Sequence, residues 1–311
     1  MTAKAPRARP AAHAGLFRYS AWDAIPAVLV LLHLALLLAL FVTWPRLSWP
    51  ERLGAAGLYA LSIGWSLDSV SHNFIHNPFF AWGPLNRLTS LLLSLALGTP
   101  QTMYKYVHMR HHAGNSDRLG PDGATVDPIS LFQYGHDGKI EPVASYVFRQ
   151  FWRDDGPFTV ARAIRAKRPR EARQALQEFW AIIAVYALLL VLDWRFVVVM
   201  APFYYLGHCF SFLIAWYEHA GADPDTPIAT GVSTYAPIYN WAFLNNGFHA
   251  EHHYQPKVHW TKMGALHDRT REARLAAPVR TLRYAHFLGF LDRHAPPVPT
   301  ARPPGQRSYA R

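Results

Sequence analysis

Residues 25–44 read IPAVLVLLHLALLLALFVTW, twenty positions without a formal charge. A helix needs about 20 apolar residues to cross a bilayer core of about 30 Å, so this stretch predicts a membrane span. Leu53 to Leu67 resumes the apolar pattern after a turn holding Pro45 and Pro50, and it runs through Asp68 into HNFIH at 72–76. Phe179 to Leu192 and Phe196 to Trp216 are two further apolar runs, parted only by Asp193, Trp194 and Arg195. The first of these is short, so its helix must begin within 170–178, with long basic side chains reaching toward the headgroups. Leu88 to Gly98 is apolar but too short to span, and it reads as an interfacial or buried helix.

The expected fold is therefore an all-α membrane protein: four transmembrane helices in two hairpins, at about 25–44, 53–71, 174–192 and 196–217, under a cytosolic helical cap. They fall in one domain, 21–294, between tails at 1–20 and 295–311 whose composition predicts disorder. With 51% hydrophobic and only 16% charged residues, the chain is too apolar for an ordinary soluble enzyme. The lone Cys209 excludes an intrachain disulfide. No small-residue cleavage site follows the first span, which reads as an anchor rather than a signal peptide.

A net charge of +11 raises the question of nucleic acid. In the four-span arrangement, residues 1–24, 72–178 and 217–311 share one side and hold 28 of the 31 Lys and Arg. Basic loops stay cytoplasmic, so the charge reads as membrane orientation and not as nucleic-acid binding. Both termini are then expected in the cytoplasm.

The same topology gathers three histidine groups on that side: His72 and His76 in HNFIH, His108, His111 and His112 in HMRHH, and His249, His252 and His253 in FHAEHH. Helical residues three and four apart share a face, so each group is expected to aim at one point. Imidazole is a common ligand for iron, zinc, copper and nickel, and no cysteine pair offers a thiolate site. A zinc site takes three or four protein ligands, whereas eight grouped histidines suit two metals with four or so each. Such a nitrogen-rich pair is compatible with iron and dioxygen chemistry.

His219 in WYEHAGA leaves the fourth span on the same side and is a ninth candidate. His208, eleven residues earlier on nearly the same face, either lines a substrate tunnel or packs as an inward-facing polar residue. His33 is expected between helices, and His13, His136, His259, His267, His286 and His294 read as surface residues. Metal-bound imidazoles usually donate their other N–H to a carboxylate or carbonyl. Asp68, one turn before His72, is a candidate for that role, as are Glu251, Glu218 and Asp117. Asn245 and Asn246, about one turn before His249, allow a water-bridged contact or simple loop capping.

The order HNFIH, HMRHH, a two-span hairpin, then NNGFHAEHHYQP resembles the membrane fatty acid desaturase and hydroxylase family, over roughly residues 25–260. The resemblance implies a centre of two iron ions at the cytosolic mouth of the bundle, with dioxygen as co-substrate and a lipid or fatty acyl chain as substrate. It makes the eight grouped histidines iron ligands and His219 an additional one. Ala215 stands where some members carry an Asn one turn before that histidine. Electrons would come from a ferredoxin or cytochrome partner.

The implied activity is desaturation of an acyl lipid. The same scaffold also supports hydroxylation, ketolation, or decarboxylation to a terminal alkene, and the GTPQTMYKYVHMRHH context looks like the bacterial branch that includes alkene-forming members. A metal hydrolase would show HExxH, which HAEHH does not match. An electron-transfer haem protein would place single axial histidines within spans. A non-catalytic metal-binding membrane protein is the remaining rival.

Overall fold

The computed structural model describes residues 15–153, 155–277 and 279–292. The opening apolar stretch forms α1 (Ala24–Thr43), which turns through a short 3-10 segment into α2 (Trp49–Ser66). A capping box starts α2, with Ser48 N–H donating to the Glu51 carboxylate at 2.7 Å. The helix does not stop at Ser66. It widens into a π-helical turn, Leu67–Ser71, and continues as α3 (His72–His76).

Two shorter helices follow, α4 (Gly83–Leu97) and α5 (Gln101–Gly114). The last carbonyls of α4 have no partner within the helix. Three tyrosines from other helices supply donors: Tyr59 to Ala96 at 2.8 Å, Tyr186 to Leu95 at 3.3 Å and Tyr204 to Gly98 at 3.1 Å. Gly98 itself turns at φ +63°, and a Cβ there would lie 2.7 Å from the Tyr204 ring. At its N-terminus α5 is held by the buried Glu178, which accepts from the Thr102 N–H at 2.8 Å and hydroxyl at 2.9 Å.

The second half opens with α6 (Val143–Arg149) and α7 (Pro157–Lys167), then the long α8 (Pro169–Leu192) and α9 (Trp194–His219). Asp193 alone separates the last two, and it caps α9 by accepting from the N–H groups of Arg195 and Phe196. Three stretches, Ala21–Arg46, Pro169–Leu192 and Trp194–His219, are long and apolar enough to cross a membrane. They mark a membrane protein, and exposed Leu31, Leu38, Leu188 and Val191 give them apolar outer faces suited to lipid.

α2 is less apolar, opening on Trp49, Pro50, Glu51 and Arg52, and its buried face mixes Tyr59 and Ile63 with the small Ala56, Ala60 and Gly64. It crosses α9 where a Cβ on Gly64 would stand 2.8 Å from the Gly207 carbonyl, and one on Gly207 2.7 Å from that of Ala60. Small residues let the two backbones meet.

Beyond α9 the chain folds into α10 (Pro237–Ala242), α11 (His249–Tyr254), α12 (Met263–Arg269) and α13 (Arg271–Leu275). One departure from an all-helical chain is a two-residue parallel pair, β1 (Ser233–Thr234) with β2 (Thr281–Leu282).

Residues 15–20 do not form part of a structureless tail. Phe17 bridges and stacks on Phe80, and the Arg18 N–H donates to the Phe79 carbonyl at 2.8 Å. Residues 1–14 and the expected tail at 295–311, with His13 and His294, lie outside the described residues. His259 and His286 are buried rather than on the surface. His259 Nε2–H donates to Asp23 Oδ1 at 2.9 Å, and His286 lies between the Val232 carbonyl and the Tyr239 hydroxyl. His136 is exposed, and His33 sits between α1 and α2 against Ser62 and Tyr59.

Candidate metal centre

α3, α5, α11 and the end of α9 bring nine imidazoles together in two groups. His72, His76, His108, His112 and His252 form one, and His111, His219, His249 and His253 the other. Within each, one ring nitrogen per residue lies within 4.8 Å of all the rest. The expectation that each sequence motif aims at one point holds for His72 and His76 and is corrected for the two HxxHH motifs. On α5, His108 and His112 face the first group while His111 faces the second; on α11, His249 and His253 face the second while His252 faces the first. Positions i and i+4 lie about 40° apart on a helix and i+3 falls on the far side of them, so a triplet can straddle two centres.

The hydrogen bonds at Nδ1 fix what Nε2 presents. His111 Nδ1–H donates to the buried Asp127 at 2.7 Å, His253 to Asn115 Oδ1 at 2.9 Å and His219 to the Thr230 carbonyl at 3.3 Å. His72 donates to Asn246 Oδ1 at 2.8 Å, and the Asn246 amide nitrogen donates in turn to Glu218 at 2.7 Å, which sets that amide's orientation. His249 Nδ1 lies 3.5 Å from the same Glu218 oxygen.

The four hydrogen bonds of His72, His111, His219 and His253 each leave an unprotonated Nε2 pointing inward. The inward nitrogens nevertheless lie close: His72 to His252 at 3.0 Å, His108 to His112 at 3.0 Å, His76 to His112 at 3.2 Å and His219 to His249 at 3.1 Å. His253 Nε2 is buried with no partner at all. Lone pairs that converge this way repel unless a cation lies between them.

Burial keeps the rings neutral, as metal binding requires. It lowers the pKa of His72 to about 4. Burial, reinforced by neighbouring imidazoles, holds His76, His108, His112, His249, His252 and His253 well below the usual histidine range. Imidazole nitrogens about 2.1 Å from one metal sit about 3.0 Å apart at right angles and about 3.4 Å apart in a tetrahedron. The shortest spacings here, 3.0–3.2 Å, match the first arrangement. A five-nitrogen group also exceeds the four positions of a closed zinc site. The donor set thus fits a pair of metals with more open, higher coordination.

Of the carboxylates singled out from sequence, Glu218 does reach the centre, accepting from Asn246, which accepts in turn from His72. Asp68 does not orient His72 through its carboxylate. That group faces Ser211 and Glu218, and only the Asp68 main-chain carbonyl reaches the His72 ring. Glu251 touches no grouped imidazole. It accepts from Ser233, Tyr235 and His267 at 2.6–2.9 Å, clamping α11 to β1 and α12.

Asn245 likewise turns away, donating to the Trp260 carbonyl at 3.0 Å. Asp117 works one step removed, accepting the main-chain N–H groups of Val126 and Asp127. His208 is buried among Tyr204, Phe151 and Phe212. The orienting residues not anticipated from sequence are Asp127, Asn115 and Thr230. Asn115 carried a readable sign, an Asn at the left-handed C-cap of the helix bearing the second motif.

The fatty acid desaturase family model matches residues 47–286, a range that contains every imidazole of both groups. The chain belongs to the fatty acid desaturase family. It is also 26% identical over 240 residues to the sphingolipid delta(4)-desaturase of Schizosaccharomyces pombe, covering 71% of this chain. The chain spans 62% of the length of that relative. For a member of this family, the matched range takes in the crossing of α2 and α9 together with the whole histidine cluster.

Proposed function

We propose that this protein is an oxygen-dependent acyl-lipid desaturase in which the two imidazole groups hold two iron ions. The observation that carries the reading is the convergence of five and four imidazole nitrogens in adjacent groups. When bound, iron would supply reductive activation of dioxygen to an oxidant able to take hydrogen from an unactivated C–H bond. The balance is simple. The chain loses two hydrogens as a double bond forms, dioxygen goes to two waters, the two further electrons come from a ferredoxin or cytochrome-type donor, and two protons come from solvent.

The protein's own residues bind, orient and exclude. Asp127, Asn115, Asn246 and Thr230 hold Nδ1 protons and so keep Nε2 free. Glu218 backs the first group through Asn246, and its carboxylate lies 3.5 Å from His249 of the second. Packing of His72, His108, His111, His249 and His253 to under a tenth exposure keeps bulk water off the reacting position.

α2 with its π-helical continuation serves as a fourth span in this reading, since it runs beside α9 from the cavity of Trp49 and Trp194 past the Gly64–Gly207 contact and delivers His72 to the same end as His219. The basic residues around the histidine end then place it, and both ends of the described chain, on the cytoplasmic side. An acyl chain enters from the bilayer between the spans, and the lipid named for the fission-yeast relative supports a lipid-borne acyl substrate.

The test is expression in a lipid-rich host followed by mass spectrometry of extracted lipids and headspace volatiles. A new internal double bond that disappears with His111→Ala and with His252→Ala is the expected result. A hydroxylated chain or a terminal alkene one carbon shorter would assign a different outcome to the same centre, and unchanged product in both variants would remove the ligand assignment.

A further inference from the structure

At the end of the long helices away from the histidines, the turn between α1 and α2 meets the turn between α8 and α9. Between them lies a cavity of about 570 Å³ whose wall includes Trp44, Trp49, Arg52, Asp193, Trp194 and Arg195. That size suits a small organic group more than a lone ion. Its chemistry is specific. The Arg52 guanidinium lies 5.4 Å from the Trp44 ring and 5.1 Å from that of Trp49, and its Nε donates to the Trp44 carbonyl at 3.1 Å. Arg195 lies 5.7 Å from the Trp194 ring.

The one carboxylate in the wall, Asp193, is already engaged in capping α9. Among the described residues neither guanidinium forms an ion pair, so the cavity presents two cationic forks, each beside a tryptophan ring, against one carboxylate. A planar guanidinium suits the oxygens of a phosphate, and tryptophan favours the depth of lipid headgroups.

A second observation bears on the same place. Away from the histidine side the sequence keeps only Arg46, Arg52 and Arg195 of its 31 basic residues, because membrane orientation depletes that side. Two of those three line this one cavity, although they come from turns 143 positions apart.

We propose that the cavity binds the phosphodiester of a glycerophospholipid from the leaflet opposite the metal centre. Arg52 and Arg195 hold its free oxygens, and Trp49 and Trp194, both exposed, flank the glycerol and the first methylenes. The bound lipid bridges the two turns and so ties the α1–α2 pair to the α8–α9 pair. The leaflet assignment rests on the topology proposed above; the phosphate recognition does not.

Full-length protein purified in mild detergent and stripped of lipid is titrated with dihexanoyl phosphatidylglycerol, with dihexanoylglycerol and with inorganic phosphate. Thermal midpoint and native mass spectrometry are the readouts. The phospholipid is expected to raise the midpoint of the wild type by several degrees and to leave one bound lipid per chain, with neither control doing so. Arg52→Gln/Arg195→Gln is expected to lose at least tenfold in phospholipid affinity. An equal response to the phosphate-free diacylglycerol or to free phosphate overturns the proposal, as does an unaltered double variant. The wild-type titration decides the matter even if that variant does not fold.

Topology is read separately by introducing Leu192→Cys beside the cavity, the native Cys209 being buried. Labelling of intact cells by an impermeant maleimide is expected. Labelling only after permeabilisation overturns the leaflet assignment whatever the titration shows.

Discussion

His111 and His252 hold the same fourth position in their HxxHH motifs, and each crosses from its own motif partners to the opposite imidazole group. The second and third motifs are thus interlocked: α5 gives two rings to the first group and one to the second, and α11 does the reverse. Neither group can be completed by one motif alone. Substituting either crossing histidine therefore damages a different centre. His111→Ala leaves three imidazoles in the four-membered group, and His252→Ala leaves four in the five-membered one. Metal analysis of purified variants is expected to show a loss of about half the metal for His111→Ala, a smaller loss for His252→Ala, and no product from either.

Asp127 is the fully buried partner of His111, and its Oδ2 also accepts from the Ser116 N–H at 2.7 Å. Asp127→Asn can present one acceptor there only by turning its amide N–H₂ toward the Ile129 N–H, which the present Oδ1 satisfies. Losing such an orienting carboxylate typically costs about 10–100-fold in metal affinity. Competition with a chelator is expected to show a loss in that range, with far-ultraviolet circular dichroism unchanged.

The crossing of α2 and α9 makes a sharp packing prediction. Gly207→Val places side-chain atoms where even a Cβ meets the Ala60 carbonyl, and overpacking of this kind costs about 1–3 kcal/mol or more. Gly54, also on α2, faces open space, so Gly54→Ala is expected to be neutral or to gain up to about 1 kcal/mol through helix propensity. Thermal unfolding in detergent separates the two.

The apolar helices and all nine grouped histidines were legible in the sequence because lipid demands long apolar runs and metal demands clustered imidazoles. What escaped it depended on contacts between elements far apart in the chain. Asp127 and Asn115 reach the rings through the fold of the loop after α5. Asp68 was misassigned for a local reason: the π-helical turn at 67–71 lengthens the helical period, so a residue four before His72 no longer shares its face. His259 and His286 looked like surface residues because no apolar periodicity surrounds them, yet Asp23, Val232 and Tyr239 bury them.

Glu178 links a long apolar helix to the helix bearing the second motif. It accepts from Ser90 at 2.6 Å and Gln174 at 2.9 Å besides both donors of Thr102. Glu178→Leu would strand these buried donors, at about 1–3 kcal/mol each. A lowered thermal midpoint and reduced metal retention are expected, with Glu178→Gln intermediate in both.

A pH dependence follows from His286, which burial lowers from the ordinary histidine value of 6.5 to about 4. Its Nε2–H donates to the Val232 carbonyl and its Nδ1 accepts from Tyr239, so it is held neutral and forms no ion pair with Glu218. The unfolded chain takes up this proton first as pH falls. Stability is therefore full above pH 6.5 and declines from there toward pH 4. Thermal midpoints recorded across that window are expected to fall less steeply in His286→Gln than in the wild type.

Whether the interlocked groups hold two irons is read by elemental analysis of iron and zinc in the active, purified protein. About two irons per chain are expected, one for each imidazole group. One metal per chain, or stoichiometric zinc without iron in an active preparation, would contradict that assignment.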